Sequence, residues 1–296
     1  MIDGALLLDK PVGVTSNAAL QEAKRLFGAK KAGHGGTLDP LASGLLVVLF
    51  GEATKFAGPM LEADKEYLAT VKLGERTETG DAEGRVLESH PVDVSADQVT
   101  AALGRFRGEI EQLPPMHSAL KHEGVPLYKI ARKGETVARK PRRVCIHELE
   151  LLARKGDLLE LRVRASKGTY IRTLAEDIGG ALGTGAHLAA LRRTASGRFS
   201  VRDAVTVGEL RDAAERRAWL RPLGSLLEGL PRTELDAAAE ARLRNGQPLK
   251  ISDVREGVRA LYRVDGGVIG LGYAAAEGVL RPLRLTQAAD KHRKTL

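Results

Sequence analysis

The sequence predicts a protein of the α+β class, because strand-like and helix-like segments follow one another without the regular order of a βαβ array. Two capping boxes mark helix starts: Ser95 pairs with Gln98, and Thr206 with Glu209, each ahead of apolar residues at helical spacing. Residues 44–50, GLLVVLF, form a short continuous apolar run that is typical of a buried strand. Both kinds of element are therefore present, in irregular alternation.

The first elements of the chain are predicted to be a strand, a turn and a helix. Residues 4–9, GALLLD, are short and apolar, as in a buried strand. A helix is predicted at residues 17–27, with Thr15 or Ser16 as its N-cap and Gly28 at its end. Further along, EYLATVKLG alternates, so a strand there places Tyr67, Ala69, Val71 and Leu73 on one face.

The C-terminal part of the chain has a different texture. A helix-like LDAAAEARLRNG precedes short strand-like runs that are joined at Asp265-Gly266 and Glu277-Gly278. An Asp-Gly pair between apolar runs is a strong hairpin signal. We therefore predict a first domain at residues 1–229, a small and mostly β domain at 230–287, and a solvated basic tail at 288–296.

The charge balance points to an anionic partner. The 296 residues contain 46 Lys and Arg against 38 Asp and Glu, for a net charge of +8. Nucleic acid and anionic membrane are the usual partners of such a chain. No apolar run reaches the roughly 18 residues of a membrane span, and no signal peptide is evident, so the membrane is the weaker choice. The single cysteine, Cys145, fits a reducing cytoplasm, and no metal-ligand spacing occurs, which predicts no metal site.

Asp39 is the first candidate for chemistry. It lies in AGHGGTLDPLASGLLVVLF, between a glycine-rich approach and Pro40, immediately before the buried strand. Pro40 holds Asp39 out of the helical region, and the nearby glycines leave the backbone open to a bulky ligand. The pattern fits an exposed nucleophile, but it fits an ordinary turn aspartate as well. A phosphate-binding loop is excluded, since the Gly-Lys-Ser/Thr ending is missing.

A second candidate segment is SKGTYIRTLAEDIGGALG, residues 166–183. Its apolar residues have helical spacing, with Thr169 as a possible N-cap, so Tyr170 and Arg172 would lie in the first turn. That position favours anions. Alternatively, the preceding strand continues further, and by pattern alone Arg172 is a surface charge and Tyr170 a half-buried core residue.

Four segments together carry a family resemblance: GTLDPLASGLL, KGTYIR, LLLDKPVGVTSN and EYLATVKLGERTETGDAEG. They resemble the TruB family of tRNA pseudouridine synthases, which modify uridine 55 in the T-loop, over residues 6–210. The C-terminal part resembles the PUA-type RNA-binding domain of the bacterial members. The resemblance implies a catalytic domain with a central mixed, largely antiparallel sheet flanked by helices, plus a small PUA-like domain. Gly35, His117 and Glu78 depart from the common pattern, which affects loop detail and not the reaction.

The resemblance also implies roles for individual side chains. Asp39 matches the catalytic nucleophile, and Arg172 matches the arginine that pairs with it. Tyr67 matches the tyrosine that stacks on the flipped base and takes part in proton transfer. The other matching residues contact the substrate: Tyr170 lines the uracil pocket, His34 displaces the target base, and Leu191 contacts the nucleotide. The isomerisation breaks the ribose–N1 bond and rejoins the uracil through C5, so no cofactor is expected.

A basic RNA-binding insertion is predicted at about residues 115–143, and its segment 121–143 is predicted to bind RNA phosphates and to become ordered on binding. Within 121–143 it has eight Lys or Arg and two Glu, although such a charge run can also be a solvated loop. The expected partner is the T-arm stem-loop of tRNA, with no obligatory protein partner and a monomeric chain. The predicted backbone-contact residues are Lys121, Lys129, Arg132, Lys133, Arg139, Lys140, Arg142, Arg143, Arg192 and Arg193.

Two other functions compete with an RNA-modifying isomerase. One is a tRNA-binding protein or folding chaperone without catalytic activity, although a folding role can coexist with catalysis. The other is a hydrolase or phosphotransferase that uses Asp39, for which the sequence offers no second acid or metal site. The sequence does not distinguish attack of the carboxylate on the base from attack on the sugar.

Overall fold

The computed structural model describes residues 2–252 and 255–287. The predicted basic tail at 288–296 lies outside these residues. Within them, none of the helices has the length and apolar character needed to cross a membrane. The helices, in chain order, are α1 (Ser16–Leu26), α2 (Ala57–Glu62), α3 (Ala96–Gly104), α4 (Leu127–Ala131), α5 (Ile171–Leu182), α6 (Val207–Asp212) and α7 (Ala237–Arg244).

The strands are likewise numbered in chain order. Those before α5 are β1 (Gly4–Lys10), β2 (Ala32–His34), β3 (Ala42–Phe50), β4 (Lys65–Leu73), β5 (Glu75–Thr77), β6 (Val86–Ser89), β7 (Gly108–Gln112), β8 (Lys121–His122), β9 (Val125–Pro126), β10 (Arg142–Lys155) and β11 (Leu158–Ala165). Those after α5 are β12 (Ala186–Ser196), β13 (Phe199–Ser200), β14 (Val205–Thr206), β15 (Leu220–Arg221), β16 (Arg232–Leu235), β17 (Leu249–Lys250), β18 (Gly257–Arg263), β19 (Val268–Ala274) and β20 (Val279–Leu285).

An eleven-stranded sheet forms the larger part of the molecule. Its main strand order is β14-β1-β3-β12-β4-β11-β10-β7, with β2, β13 and β15 paired at its flanks. The β1–β14 and β3–β12 pairs are parallel, and the other pairs along this order are antiparallel. The prediction of a mixed, largely antiparallel sheet is confirmed.

Strand β12 brings distant segments of the chain together at the centre of this sheet. It lies between β3 and β4, so that Leu191 is opposite Ala42 on one side and Ala69 on the other. Gly44 and Arg193 are also paired in this register. Gly44 has φ +98°, and a Cβ there would lie 2.3 Å from the Arg193 carbonyl oxygen, so only glycine allows this close approach.

Helices α3 and α5 cover one face of β4, β10 and β11. Val99 and Leu103 of α3 and Ile178 of α5 form one buried cluster with the strand side chains. The predicted alternation in β4 is confirmed, since Ala69, Val71 and Leu73 are buried on this face. The capping box of α3 is present, as is that of α6. Local sequence therefore determines where both helices begin.

The opposite face of these strands, here called the open face, carries charges that are paired across strands. Arg162 bonds Glu150 at 3.0 Å, and Arg164 bonds Glu148 at 2.8 Å. All four side chains are substantially exposed, so each pair adds little stability. Their main effect is that the charges of these two arginines are compensated within the face.

The C-terminal part forms a separate five-stranded sheet in the order β16-β18-β19-β20-β17. Both predicted hairpins are confirmed: β18 pairs with β19 across Asp265-Gly266, and β19 with β20 across Glu277-Gly278. Ala260 and Leu271 of this sheet belong to the same buried cluster as Leu7 of β1. The two sheets are therefore held together by an apolar contact.

The basic insertion has more regular structure than the sequence indicates. It contains the β8–β9 hairpin and α4, and Arg142 and Arg143 open β10, where they pair with Gln112 and Glu111 of β7. The prediction of a segment that becomes ordered only on binding is wrong for these two residues, because β7 supplies their backbone partners.

Candidate active site

Asp39 lies on a loop at residues 35–41 that is anchored at several points. The Ser16 side chain bonds both backbone groups of Leu38: the Leu38 N–H donates to Oγ at 2.7 Å, and Oγ donates to the Leu38 carbonyl at 2.8 Å. The Gly13 N–H donates to the Pro40 carbonyl at 2.8 Å. A Cβ at Gly35 would lie 2.8 Å from Met60 Cβ, which requires glycine. The loop is fixed, while the Asp39 side chain remains 43% exposed.

Arg172 is the partner of Asp39 and is almost completely enclosed. Its Nη2 lies 3.0 Å from Asp39 Oδ2, and its side chain is 7% exposed. The guanidinium also donates to the carbonyls of Thr79 at 3.0 Å and His117 at 2.6 Å. These bonds come from three separate parts of the chain and fix the guanidinium in one orientation. Arg172 therefore lies in the first turn of α5, as the helical interpretation predicts, but it is an enclosed partner of Asp39 and not a free surface charge.

Asp81 is a second carboxylate beside Arg172, and no role was predicted for it. Its Oδ2 lies 3.6 Å from Arg172 Nε, and its side chain is only 5% exposed. The Glu83 N–H and the Thr79 hydroxyl donate to Asp81 Oδ1. The buried Asp81 therefore holds Arg172 on the protein side. Arg172 in turn holds the accessible carboxylate of Asp39 at the surface.

The cleft beside Asp39, here called the central cleft, contains most of the predicted site residues. Its volume is about 340 Å³, within the range of small-molecule sites. The structure brings together at its walls Asp39, Tyr67, Tyr170, Arg172 and Leu191. These residues come from the Asp39 loop, β4, the start of α5 and β12.

Tyr67 is positioned by its place in the centre of the sheet. It is half-buried on β4, opposite Arg193 of β12. Burial raises the pKa of Tyr67, while the positive charge of Arg193 acts in the opposite direction. The phenol therefore stays protonated at neutral pH, and its ring is available for stacking.

Arg193 does not lie where the sequence predicted. It is 2% exposed, and its guanidinium donates to the carbonyls of Leu45 at 2.7 Å and of Gly36 and Thr37 at 3.2 Å. The prediction that Arg193 binds an RNA phosphate is wrong, because each of its three guanidinium nitrogens already donates to a backbone carbonyl and the residue is buried. Arg193 instead ties the Asp39 loop to the strands that carry Tyr67.

Tyr170 stands immediately before α5, at its N-cap position. Gln112 of β7 fixes it through two bonds: the Tyr170 N–H donates to Oε1 at 3.0 Å, and Nε2 donates to the Tyr170 carbonyl at 3.2 Å. Burial raises the pKa of Tyr170. Thr169 is not the N-cap that the sequence suggested, since its hydroxyl donates back to the Ser166 carbonyl at 2.9 Å.

His34 lies outside the central cleft. It ends β2 and lines an adjoining cleft of about 630 Å³, which Asp39 and Arg172 also line. Burial lowers the pKa of His34, and the charge of Arg193 acts in the same direction, so the imidazole is neutral at pH 7. Asp39 therefore stands at the boundary between two connected spaces.

Of the nine remaining predicted backbone-contact residues, Arg192 lies on β12 and the other eight belong to the basic insertion and the start of β10. Arg192 is half-buried and forms two bonds to Asp9, at 2.6 and 3.0 Å. Arg132, the one that also borders the adjoining cleft, lies over the Tyr128 ring at 5.6 Å. The others lie on the basic insertion and the start of β10: Lys121, Lys129, Lys133, Arg139, Lys140, Arg142 and Arg143.

Two lysines near the site are buried, and no sequence pattern predicts their burial. Lys65 lines the central cleft, and its Nζ donates to the carbonyls of Met60, Leu61 and Ala63. Lys10 is fully buried and donates to the carbonyls of Pro11 and Val14. Burial lowers the pKa of each to about 8.

The Lys65 pKa makes stability depend on pH in a defined window. Between about pH 8 and 10.5 the unfolded chain binds a proton that the folded protein has lost, so stability rises with pH. We expect the unfolding free energy of wild type minus that of Lys65→Met to become more positive by up to about 3 kcal/mol across that window. Urea titrations at a series of pH values measure it; a difference that does not change with pH contradicts the assignment.

The described residues contain no group of three His, Cys, Asp or Glu side chains that could hold a metal ion. The chemistry that the site offers is that of an accessible carboxylate beside a fixed guanidinium, with two tyrosine rings and a leucine around an open cleft. Such a site can accept a flat ring and place an anionic nucleophile at its edge.

Sequence comparison identifies the family. The TruB family pseudouridylate synthase N-terminal domain matches residues 24–171, and the tRNA pseudouridylate synthase B C-terminal domain matches 172–228. The Pseudouridine synthase II TruB C-terminal model matches 231–286. The chain belongs to the TruB family. The resemblance noted in the four sequence segments is thereby confirmed.

Relatives and solved structures agree with this membership. The chain is 52% identical to tRNA pseudouridine synthase B of Dechloromonas aromatica, over 98% of this chain and 97% of that protein. It is 55% identical to the Burkholderia lata protein of the same name, over 98% and 92%. Among solved structures, a Cbf5-Nop10-Gar1 complex has a TM-score of 0.73 at 30% identity, covering 93% of this chain and 79% of that chain.

A second structural relative was solved with nucleic acid. It is an H/ACA RNP bound to a substrate RNA containing 2'-deoxyuridine, with a TM-score of 0.74 at 27% identity. The match covers 97% of this chain and 86% of that chain. The α+β fold with a central mixed sheet is thus that of the family's pseudouridine synthases.

Proposed function

We propose that this protein isomerises uridine 55 in the T-loop of tRNA to pseudouridine, with Asp39 as the nucleophile. The observation that carries the proposal is the ion pair of Asp39 with Arg172 at the edge of an open cleft between two tyrosines. The names of the curated relatives, tRNA pseudouridine synthase B, support the substrate class. The proposed setting is the cytoplasm, and the proposed active form is a monomer.

The reaction begins when the target uridine leaves its stack and enters the central cleft. Unstacking costs a few kcal/mol, and stacking on an aromatic side chain returns about 1–3 kcal/mol per base. Tyr67 and Tyr170 are the rings available at the cleft walls, with Leu191 as an apolar contact. We assign to His34, which lines the adjoining cleft, the role of displacing the target base from the loop.

Asp39 then cleaves the bond between C1′ of the ribose and N1 of the uracil. Attack on the base and attack on the sugar both fit one accessible carboxylate, and both lead to the same product. The uracil turns, C5 bonds to C1′, the C5 proton leaves and N1 gains a proton, so the atoms balance without a cofactor. Arg172 holds the carboxylate in place, and we assign the proton transfer to Tyr67.

RNA binding is assigned to surfaces outside the cleft. We propose that residues 1–229 form the catalytic domain, and that the basic insertion at 115–143 contacts the T-arm. The sheet at 230–287 is proposed as a PUA-like RNA-binding domain. Binding by these surfaces also allows the protein to assist tRNA folding, a role that would be independent of Asp39.

The decisive experiment uses an unmodified tRNA transcript, a metal chelator and no cofactor, followed by mapping of pseudouridine. We expect stoichiometric product at position 55 and none in a matched transcript with cytidine there. Tight binding without product would favour the tRNA-binding alternative. Product at another position would overturn the T-loop assignment while keeping the chemistry.

A further inference from the structure

A small basic pocket lies next to the central cleft, on the other side of the chain segment 118–121. Ser118 and Ala119 line the cleft, and the residues that follow, Leu120 and Lys121, line the pocket. Its volume is about 200 Å³. The two spaces are therefore separated by a single stretch of backbone.

The lining of this pocket is strongly cationic. Its charged and titratable side chains are Lys121, His122, Arg139, Lys140 and Arg142, and no Asp or Glu is among the lining residues. In the part of the chain that the structure describes, none of its lysines and arginines forms an ion pair with a carboxylate. The open face is different, because its arginines are paired with glutamates across the strands. The positive charge of the pocket is not neutralised by the protein.

Arg139 provides the observation that points to a ligand. Its Nη1 donates to the Pro114 carbonyl at 2.8 Å, which fixes the guanidinium at the pocket wall. Its Nε is buried and has no acceptor among the described residues. Because Nη1 is already bonded and Nε is enclosed, Nη2 is the nitrogen of Arg139 that is left to donate to an acceptor from outside the chain.

The position of the pocket indicates which hydrogen-bond acceptor it binds. Arg142 is close enough to Tyr170 for its charge to oppose the rise of that tyrosine's pKa, which places the pocket beside the wall of the central cleft. A nucleotide in the cleft is joined to phosphates on both sides, and this pocket is a cationic site directly beside the cleft. A guanidinium N–H forms a strong charge-assisted hydrogen bond to a phosphodiester oxygen, and the neighbouring lysines add positive charge.

We propose that this pocket binds a single phosphodiester group of the substrate RNA, adjacent to the extruded nucleotide, with Arg139 as its central donor. The proposal rests on the proposed function for the identity of the RNA. It goes beyond a general attraction between a basic surface and a polyanion, since it assigns one phosphate to one pocket.

The test measures binding of a T-arm stem-loop in which each linkage in turn is replaced by an uncharged methylphosphonate. With wild type, replacing one particular linkage near the target uridine should lower affinity about tenfold, which is the effect of losing one charge-assisted contact. With Arg139→Gln, the unmodified RNA should bind about tenfold more weakly, and neutralising that same linkage should have no further effect. Arg162→Gln, which removes a charge from the open face, should behave as wild type.

Lys140→Gln is a second variant that tests the pocket if Arg139→Gln fails to fold, because Lys140 is exposed and is not the residue bonded to Pro114. This variant should lose a smaller part of the RNA affinity, and its loss should depend on the same linkage. The proposal is overturned if neither variant couples to a single linkage, if they couple to different linkages, or if the losses add at every linkage. Pseudouridine formation by wild type on the unmodified stem-loop is measured in parallel, so failure of the proposed reaction is distinguished from failure of the pocket.

Discussion

Replacing Asp39 with asparagine should reduce pseudouridine formation by on the order of 10⁴-fold or more, while RNA affinity changes by less than about threefold. Asparagine keeps the size of the side chain but cannot act as an anionic nucleophile. The loop should keep its position, because it is anchored by the Ser16 hydroxyl and by the Pro40 carbonyl rather than by the carboxylate. Single-turnover conversion and filter binding on the same tRNA separate the two effects.

A matched control is available in Asp93→Asn, because Asp93 is exposed and lies outside both clefts. It should leave rate and affinity unchanged. Conversion by Asp39→Asn within tenfold of wild type would show that another group is the nucleophile. Loss of binding together with loss of activity would instead show that the carboxylate organises the cleft.

Replacing Arg172 with methionine should both abolish activity and lower the free energy of unfolding by about 3–5 kcal/mol. Arg172 is the counter-ion of Asp81, whose side chain is 5% exposed, so its removal leaves a buried carboxylate uncompensated. The carbonyls of Thr79 and His117 lose their donor as well. Urea unfolding measures the stability, and conversion of tRNA at saturating enzyme measures the activity.

A second substitution separates the two consequences. Adding Asp81→Asn to Arg172→Met removes the buried charge, and this should restore a substantial part of the lost stability. Activity should stay lost, because Asp39 still lacks its fixed partner. Recovery of activity in the double variant would show that Arg172 acts only through stability.

Most of the local structure was predictable, because its causes lie within a few residues of one another. The capping box of α3 depends on two side chains three positions apart, and the hairpin at Asp265-Gly266 on a two-residue turn. The strand β4 follows from alternation. The helix α5 was predicted, but its N-cap lies one residue after Thr169, since Thr169 bonds backward to Ser166 and Gln112, from a distant strand, binds the Tyr170 backbone.

The charged residues were the least predictable part of the site. Pattern reasoning places lysine and arginine in solvent, yet Arg193, Lys10 and Lys65 are buried. Their partners are backbone carbonyls, which every residue carries and which leave no trace in the sequence. The role of Asp81 was equally unpredictable from the sequence, because it depends on a guanidinium about ninety positions away.

The sequence by itself determined the α+β class, the membership of the family and the residues to examine, since short-range spacing and motif order are written directly in the chain. Only the tertiary structure decided how those residues act together. Asp39 is accessible while Asp81 is buried, Arg192 pairs with Asp9, and Arg193 is enclosed by backbone carbonyls. Among the described residues, several lysines and arginines without a carboxylate partner line one pocket. The physical reason is that burial and pairing are properties of the packed chain. They are set by β12 and α5 meeting loops that are far away in sequence.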